Sequence, residues 1–136
     1  IFFRFGWGKP VPIDPYNFRN PKKDEILVSL AGPFSNFILA IISSLLLKNI
    51  HLSWLFSSLL VQFVSLNIFL GVFNLLPIWP LDGSKVLLNL LPLRASLNWQ
   101  DSLQSYGYLL IFILAYSGIL PRLITFLATP ILNLLL

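Results

Sequence analysis

The sequence predicts an all-α membrane protein, with three spanning helices, a C-terminal apolar tail and a short Pro- and Gly-rich loop at the start. Three observations carry this prediction. Of 136 residues, 57% are hydrophobic and only 10% charged, with a mean hydropathy of +0.83. A soluble domain is roughly a quarter charged and needs those groups to cover its surface. Runs without any charge recur at 26–47, 52–81 and 102–120. At ~1.5 Å rise per residue, about 20 such residues cross a hydrocarbon core of ~30 Å. Seven of the ten Pro residues fall outside these runs, where the chain must turn.

The same arithmetic excludes other classes. A soluble enzyme, a disordered chain and a nucleic-acid binder all need more charge than this chain has. The nine Lys and Arg against five Asp and Glu give a net charge of +4, but these positives flank apolar runs, where topology signals belong. There is no Cys, so no disulfide and no thiolate metal site. There is no Met, even at position 1, and Ile1 to Pro15 lacks the apolar run of a signal peptide.

Residues 1–25 are polar and turn-rich. Pro10, Pro12, Pro15 and Pro21, with Gly6 and Gly8, forbid a continuous helix. Phe2–Trp7 and Val11–Ile13 fit the two strands of a small β-hairpin, and Trp7 and Tyr16 suit the headgroup level. A plain amphipathic connector fits equally well.

The first span is 26–47. Asp24 and Glu25 precede it and Lys48 follows it, each on the side the helix dipole favours. Pro33 predicts irregular first turns or a later start. Ser29, Gly32, Asn36, Ala40 and Ser43 recur at steps of three and four, a small and polar face suited to packing on another membrane helix. A tight link, 48–53, contains the lone His51. The second span is 52–76, with Asn67, Gly71 and Asn74 on one face.

Pro77 and Pro80 end that helix and Asp82-Gly83 turns the chain. A short helix, 84–91, then leads to a polar loop at 94–101. The third span is 102–120, softened by Gly107 and Gly118. The tail, 121–136, is interrupted by Arg122 and Pro130 and reads as a marginal span or as an interfacial or re-entrant helix.

Three spans put 1–25 and 82–101 on one side of the bilayer. That side holds Arg4, Lys9, Arg19, Lys22, Lys23, Lys85 and Arg94; the other holds Lys48 and Arg122. The excess predicts a multi-pass protein of the cell membrane with the Asp82 side cytoplasmic. Lys85 and Arg94 read as anchors on that side.

Asp82 is the residue that invites a chemical reading. It sits directly behind a spanning helix, in backbone broken by Pro, and an acid in that position marks a functional site. By spacing alone it equally forms an Asp-Gly turn that caps the next helix.

Asn74-x-x-Pro77-x-x-Pro80-Leu81-Asp82-Gly83 resembles the C-terminal signature of the site-2 protease family of intramembrane zinc metalloproteases. Two further segments resemble its short prokaryotic branch. Phe5-Gly6-Trp7-Gly8-Lys9-Pro10-Val11-Pro12 is similar to an F-G-W-x-K-P-V-P loop, and Ala31-Gly32-Pro33-x-x-Asn36 is similar to an A-G-P-x-x-N motif at the start of a membrane helix. The three stand in the family's order over residues 5–83. Beyond about residue 92 the likeness is one of general character.

The resemblance implies an endopeptidase that cuts peptide bonds in or near the transmembrane segments of its substrates. It implies a Zn²⁺ held by two His of an H-E-x-x-H helix and by the Asp of the L-D-G motif, here Asp82. It makes Asn74 the amide that steadies the oxyanion of the tetrahedral intermediate. A zinc with three protein ligands and a water, a Glu as general base and an amide aimed at the developing charge form a coherent hydrolytic site. Trp7, Lys9, Pro10 and Pro12 would shape the substrate's way in, or merely plug the surface. Gly32, Pro33 and Asn36 would line or pack the site, Asn36 by pairing helices through its amide. Pro77, Pro80 and Gly83 would shape the active-site loop.

The sequence departs from the family where the metal is held. It has no H-E-x-x-H, and His51 has no partner four residues away; it reads as an interfacial loop residue. In the family the H-E-x-x-H helix precedes the F-G-W loop. The expectation is therefore an N-terminally truncated protease that lacks two zinc ligands and the general base, and is inactive alone. The competing expectation is a non-catalytic scaffold or regulator of the same fold. A transporter or channel would call for more intramembrane charge or a repeated half. The expected partners are the lipid bilayer and a transmembrane protein substrate.

Overall fold

The computed structural model describes residues 20–136, without the side chains of Leu93 and Leu103. The hairpin expected near the start, with Trp7, Lys9, Pro10 and Pro12, lies outside the described residues. Five helices follow: α1 (Pro21–Asn49), α2 (Trp54–Asn74), α3 (Asp82–Leu90), α4 (Leu93–Tyr116) and α5 (Ile119–Leu135). Among the described residues there is no strand. The fold is that of an all-α membrane protein.

The first helix starts before its apolar run. Pro21 takes the first position, where a missing N–H leaves nothing unsatisfied. The Asp24 carboxylate accepts a hydrogen bond from the Asn20 N–H at 3.1 Å. Pro33 lies inside the helix and is fully buried, so it does not delay the start. The small face packs inward: Ser29, Ala40 and Ser43 are buried. Phe37 lays its ring on Gly71, where a Cβ would come within 2.8 Å of the ring. Asn67 satisfies itself by donating to the Phe63 carbonyl of its own helix at 2.9 Å.

Ala40, Val64, Ile68, Val72 and Ala128 form the inner core. Outward, α1 shows Phe34, Ile38, Ile42 and Leu45 well exposed. In water such a surface would be an aggregation site; against lipid tails it is the appropriate one. Both α1 and α2 are long and apolar enough to cross a membrane, and Gln104–Tyr116 with Ile119–Leu135, bent by 80°, is either a third, broken span or a re-entrant loop.

The C-terminal third differs from expectation. The polar stretch 94–101, expected as a loop, is the first part of α4, and the helix ends at Tyr116 rather than 120. No Pro or Gly interrupts the chain between Pro92 and Gly107, so nothing breaks the helix there. The break comes at Gly118, whose φ of 76° is left-handed and suits only a residue without a Cβ. Pro121 then sits in the first turn of α5, where its lack of an N–H is harmless.

The tail is part of the packed bundle. Leu120, near the start of α5, clusters with Leu76 and Leu81 beside Asp82. At the other end the Leu135 carbonyl accepts a hydrogen bond from Ser44 Oγ, near the end of α1. The fifth helix therefore runs alongside α1 in the same direction.

Candidate functional site

The site is built where α2 stops. Pro77 and Pro80 have no N–H to continue the helical ladder, so the chain closes two tight turns. The Ile78 N–H bonds the Leu76 carbonyl at 2.8 Å, and the Leu81 N–H bonds that of Ile78 at 2.8 Å. The Trp79–Pro80 peptide bond is cis. These turns bring α3 back onto the end of α2.

Gly83 makes that return feasible. Its Cα faces the Leu75 backbone carbonyl so closely that a Cβ would overlap it. The residues next to Asn74 and next to Asp82 are thus in contact. Ser84 is fully buried and donates to the Leu81 carbonyl at 2.7 Å, closing the first turn of α3.

Asp82 is the first residue of α3, with Leu81 as the N-cap, and no side chain caps this helix. The carboxylate is turned to other partners. Oδ1 accepts from Lys85 Nζ at 3.1 Å, one helical turn on. Oδ2 faces α1: a Cβ placed on Gly32 would lie 3.4 Å away. The A-G-P segment and the L-D-G segment, 50 residues apart in the chain, therefore meet at this carboxylate. Gly32 is itself exposed and Asp82 remains about a third exposed, at 31%, so the meeting point is open on one side.

Asn74 is the last residue of α2 and is half-buried. Asn36 lies one turn beyond Gly32 on α1 and is half-buried too. Neither amide has a hydrogen-bond partner among the described residues. Pro77 is exposed and Pro80 half-buried in the loop between α2 and α3. His51 is exposed in the link at the opposite end of α2, 21 helical residues away, or roughly 30 Å.

The loop has a support that sequence reasoning missed. Gly107 of α4 lies against the Trp79 backbone, with no room for a Cβ. Its neighbour Tyr108 meets the Trp79 ring edge to face, with centroids 5.0 Å apart. No local pattern announces such a contact. Lys85 was more accessible: it stands three residues after Asp82, a spacing that pairs opposite charges once the helix is known to begin at Asp82.

Among the described residues, no group of three or more His, Cys, Asp or Glu could hold a metal ion. Asp82 offers one carboxylate, and a catalytic zinc needs three protein ligands. The described residues alone do not fit Zn²⁺.

Comparison with known proteins gives the context. Residues 48–116, just over half of the chain, match peptidase family M50. That match includes Asn74 to Gly83 but starts after Gly32-Pro33. YwhC of Bacillus subtilis (strain 168), a candidate zinc metalloprotease by name, is 40% identical over 121 residues, covering 81% of this chain and 54% of its own length. The zinc metalloprotease MJ0392 of Methanocaldococcus jannaschii is 34% identical over 89 residues, covering 65% of this chain and 23% of its own. The chain thus spans about half the length of the first relative and about a quarter of the second. No solved structure matches it. An Asn-x-x-Pro-x-x-Pro-Leu-Asp-Gly loop closed on itself by Gly83, inside an apolar helical bundle and within the matched segment, places this chain in peptidase family M50, the site-2 proteases.

Proposed function

We propose that this chain is the L-D-G half of an intramembrane zinc metalloendopeptidase that hydrolyses peptide bonds in or near the transmembrane segments of other proteins. The observation that carries the reading is the meeting of Asp82 Oδ2 with Gly32 on an open face. The carboxylate is held by Lys85 through one oxygen and presents the other to Gly32 of α1. In this reading Asp82 is a metal ligand. The amide of Asn74, at the end of α2, donates in this reading to the carbonyl oxygen of the bond being cut, where charge develops. The two named zinc metalloproteases support the metal and the activity.

The remaining donors and the general base belong, in this reading, to a segment outside this sequence, and the chain by itself does not cleave. A substrate helix must unwind to be cut, because its carbonyls are occupied within its own hydrogen-bond ladder. The cytoplasmic placement of the site is supported by charge. Among the described residues, Lys22, Lys23, Lys85 and Arg94 lie toward one side and Lys48 toward the other; with α5 running from the Asp82 end, Arg122 joins the first group, not Lys48 as the three-span expectation had it.

A second reading, a non-catalytic scaffold or regulator of the same fold, draws on the single metal donor. The coding sequence upstream of Ile1 separates the two. An apolar segment with H-E-x-x-H is expected there; a start codon immediately before Ile1 would leave only the scaffold.

A further inference from the structure

Beyond Asp82, α3 and α4 face each other with polar stripes that the fold does not use. On α4, Ser96, Gln100 and Gln104 recur at steps of four, which is one face of the helix. On α3, Lys85 and Asn89 do the same. Together with Glu25 of α1 they line a cavity of about 210 Å³. Two polar faces this near would ordinarily bond each other, yet no side-chain hydrogen bond crosses from α3 to α4 among the described residues. Asn89 Nδ2 donates within its own helix, to the Lys85 carbonyl at 2.9 Å, and Lys85 Nζ is engaged by Asp82 at 3.1 Å. The Gln100 and Gln104 amides have no partner among the described residues.

Charge narrows what belongs in the cavity. Lys85 is the one cation lining it among the described residues, and Asp82 already neutralises it. Glu25 adds a negative charge. A phosphate would find no available cation here. Apart from Leu88 and Trp79, what remains is a set of neutral amides and a hydroxyl, and each Gln amide offers an acceptor and two donors. That is the complement of a peptide main chain, which alternates N–H and C=O.

We propose that the cavity between α3 and α4 binds the main chain of an extended polypeptide, the unwound part of a substrate next to Asp82. Main-chain recognition stands on the lining; that the polypeptide is a substrate rests on the protease reading. The position suits the task. Trp79, clamped by Gly107 and Tyr108, joins the cavity wall to the loop that carries Asp82. Amide side chains that occupy main-chain donors and acceptors hold a segment out of its helix, the state in which its carbonyls are open to attack.

The test uses the complete protein in phosphatidylcholine vesicles. The probes are a photoreactive hexapeptide of alternating Ala and Thr and its main-chain N-methylated analogue, which lacks the donors. The expected result is labelling of α4 within 96–104 by the first peptide. Gln100→Leu with Gln104→Leu should reduce that labelling at least about tenfold, the loss of one or two net hydrogen bonds. Both positions are exposed, so the double variant should keep the wild-type melting temperature. The N-methylated peptide should label no better than the double variant allows. Equal labelling of wild type and variant, or equal labelling by both peptides, would overturn the proposal. So would displacement by glycerophosphoethanolamine and not by unlabelled peptide, which would mark a lipid headgroup site. Cleavage of a single-span membrane polypeptide is followed separately. Labelling without cleavage removes the protease reading and keeps the cavity; cleavage without labelling does the reverse.

Discussion

Asp82 Oδ2 stands against Gly32, at a distance where a Cβ on Gly32 would just touch it at 3.4 Å. The two residues come from different helices, and the absence of a side chain at one sets the space beside the carboxylate of the other. Gly32 is exposed in mid-helix, so its presence there is unfavourable by roughly 1 kcal/mol relative to Ala. A Cβ would fit there in ordinary contact with Asp82, but a longer side chain would not leave Oδ2 open.

Gly32→Ala is therefore expected to be neutral or to stabilise the helix by up to about 1 kcal/mol, with cleavage by the complete protein retained. Gly32→Leu should keep the fold and lose cleavage, because its side chain fills the space at Oδ2. Melting temperature and cleavage measured together check both. Full cleavage by the Leu variant would show that the gap is not used.

Gly83→Ala should behave in the opposite way. Its Cβ would overlap the Leu75 backbone carbonyl, which cannot rotate aside as a side chain can. Overpacking of this kind costs about 1–3 kcal/mol or more. A clear fall in thermal stability is expected, and an unchanged melting temperature would contradict the packing of α3 on α2.

For the complete protein, Asp82→Ala should abolish zinc-dependent cleavage and reduce bound zinc. Asn74→Ala should lower turnover more than zinc content, because in the proposed reading its amide serves the carbonyl rather than the metal. Zinc analysis beside a kinetic assay reads the difference. Wild-type rates in the Asp82 variant would refute the ligand assignment, and a parallel loss of zinc in the Asn74 variant would point to a structural role.

Lys85→Ala should cost less than about 1 kcal/mol of stability. The pair with Asp82 is short, at 3.1 Å, but both side chains are about a third exposed, and exposed pairs contribute little and are screened by salt. Chemical denaturation at low and high salt checks this. A large, salt-independent loss would mean that Lys85 supports the fold by another contact.

Much of this protein is readable along the chain, since a bilayer imposes a local rule. Uncharged runs long enough to cross it must be helices, so α1 and α2 follow from composition and length, and the motif residues from their order. Local rules fail where a helix is not governed by lipid. The 94–101 stretch is polar enough to resemble a loop, yet becomes the start of α4 because nothing in it breaks a helix and its polar stripe faces α3. The direction of α5 was open in the sequence and is decided by Leu120 at one end and Ser44 with Leu135 at the other.

The candidate site divides along the same line. Asn74, Pro77, Pro80, Asp82 and Gly83 are recognisable as neighbours in one short segment. That Asp82 meets Gly32, that Gly83 locks onto Leu75, and that Gly107 seats Trp79 could not be read there. These are close approaches between residues that are mostly far apart in the chain, and at Gly83 and Gly107 the missing Cβ permits them. A hydrophobic period records which face of a helix is buried, not which atom of a distant helix it touches. Chain pattern thus suffices for what the solvent dictates, and only packing in three dimensions assigns the neighbours of the Asp82 carboxylate.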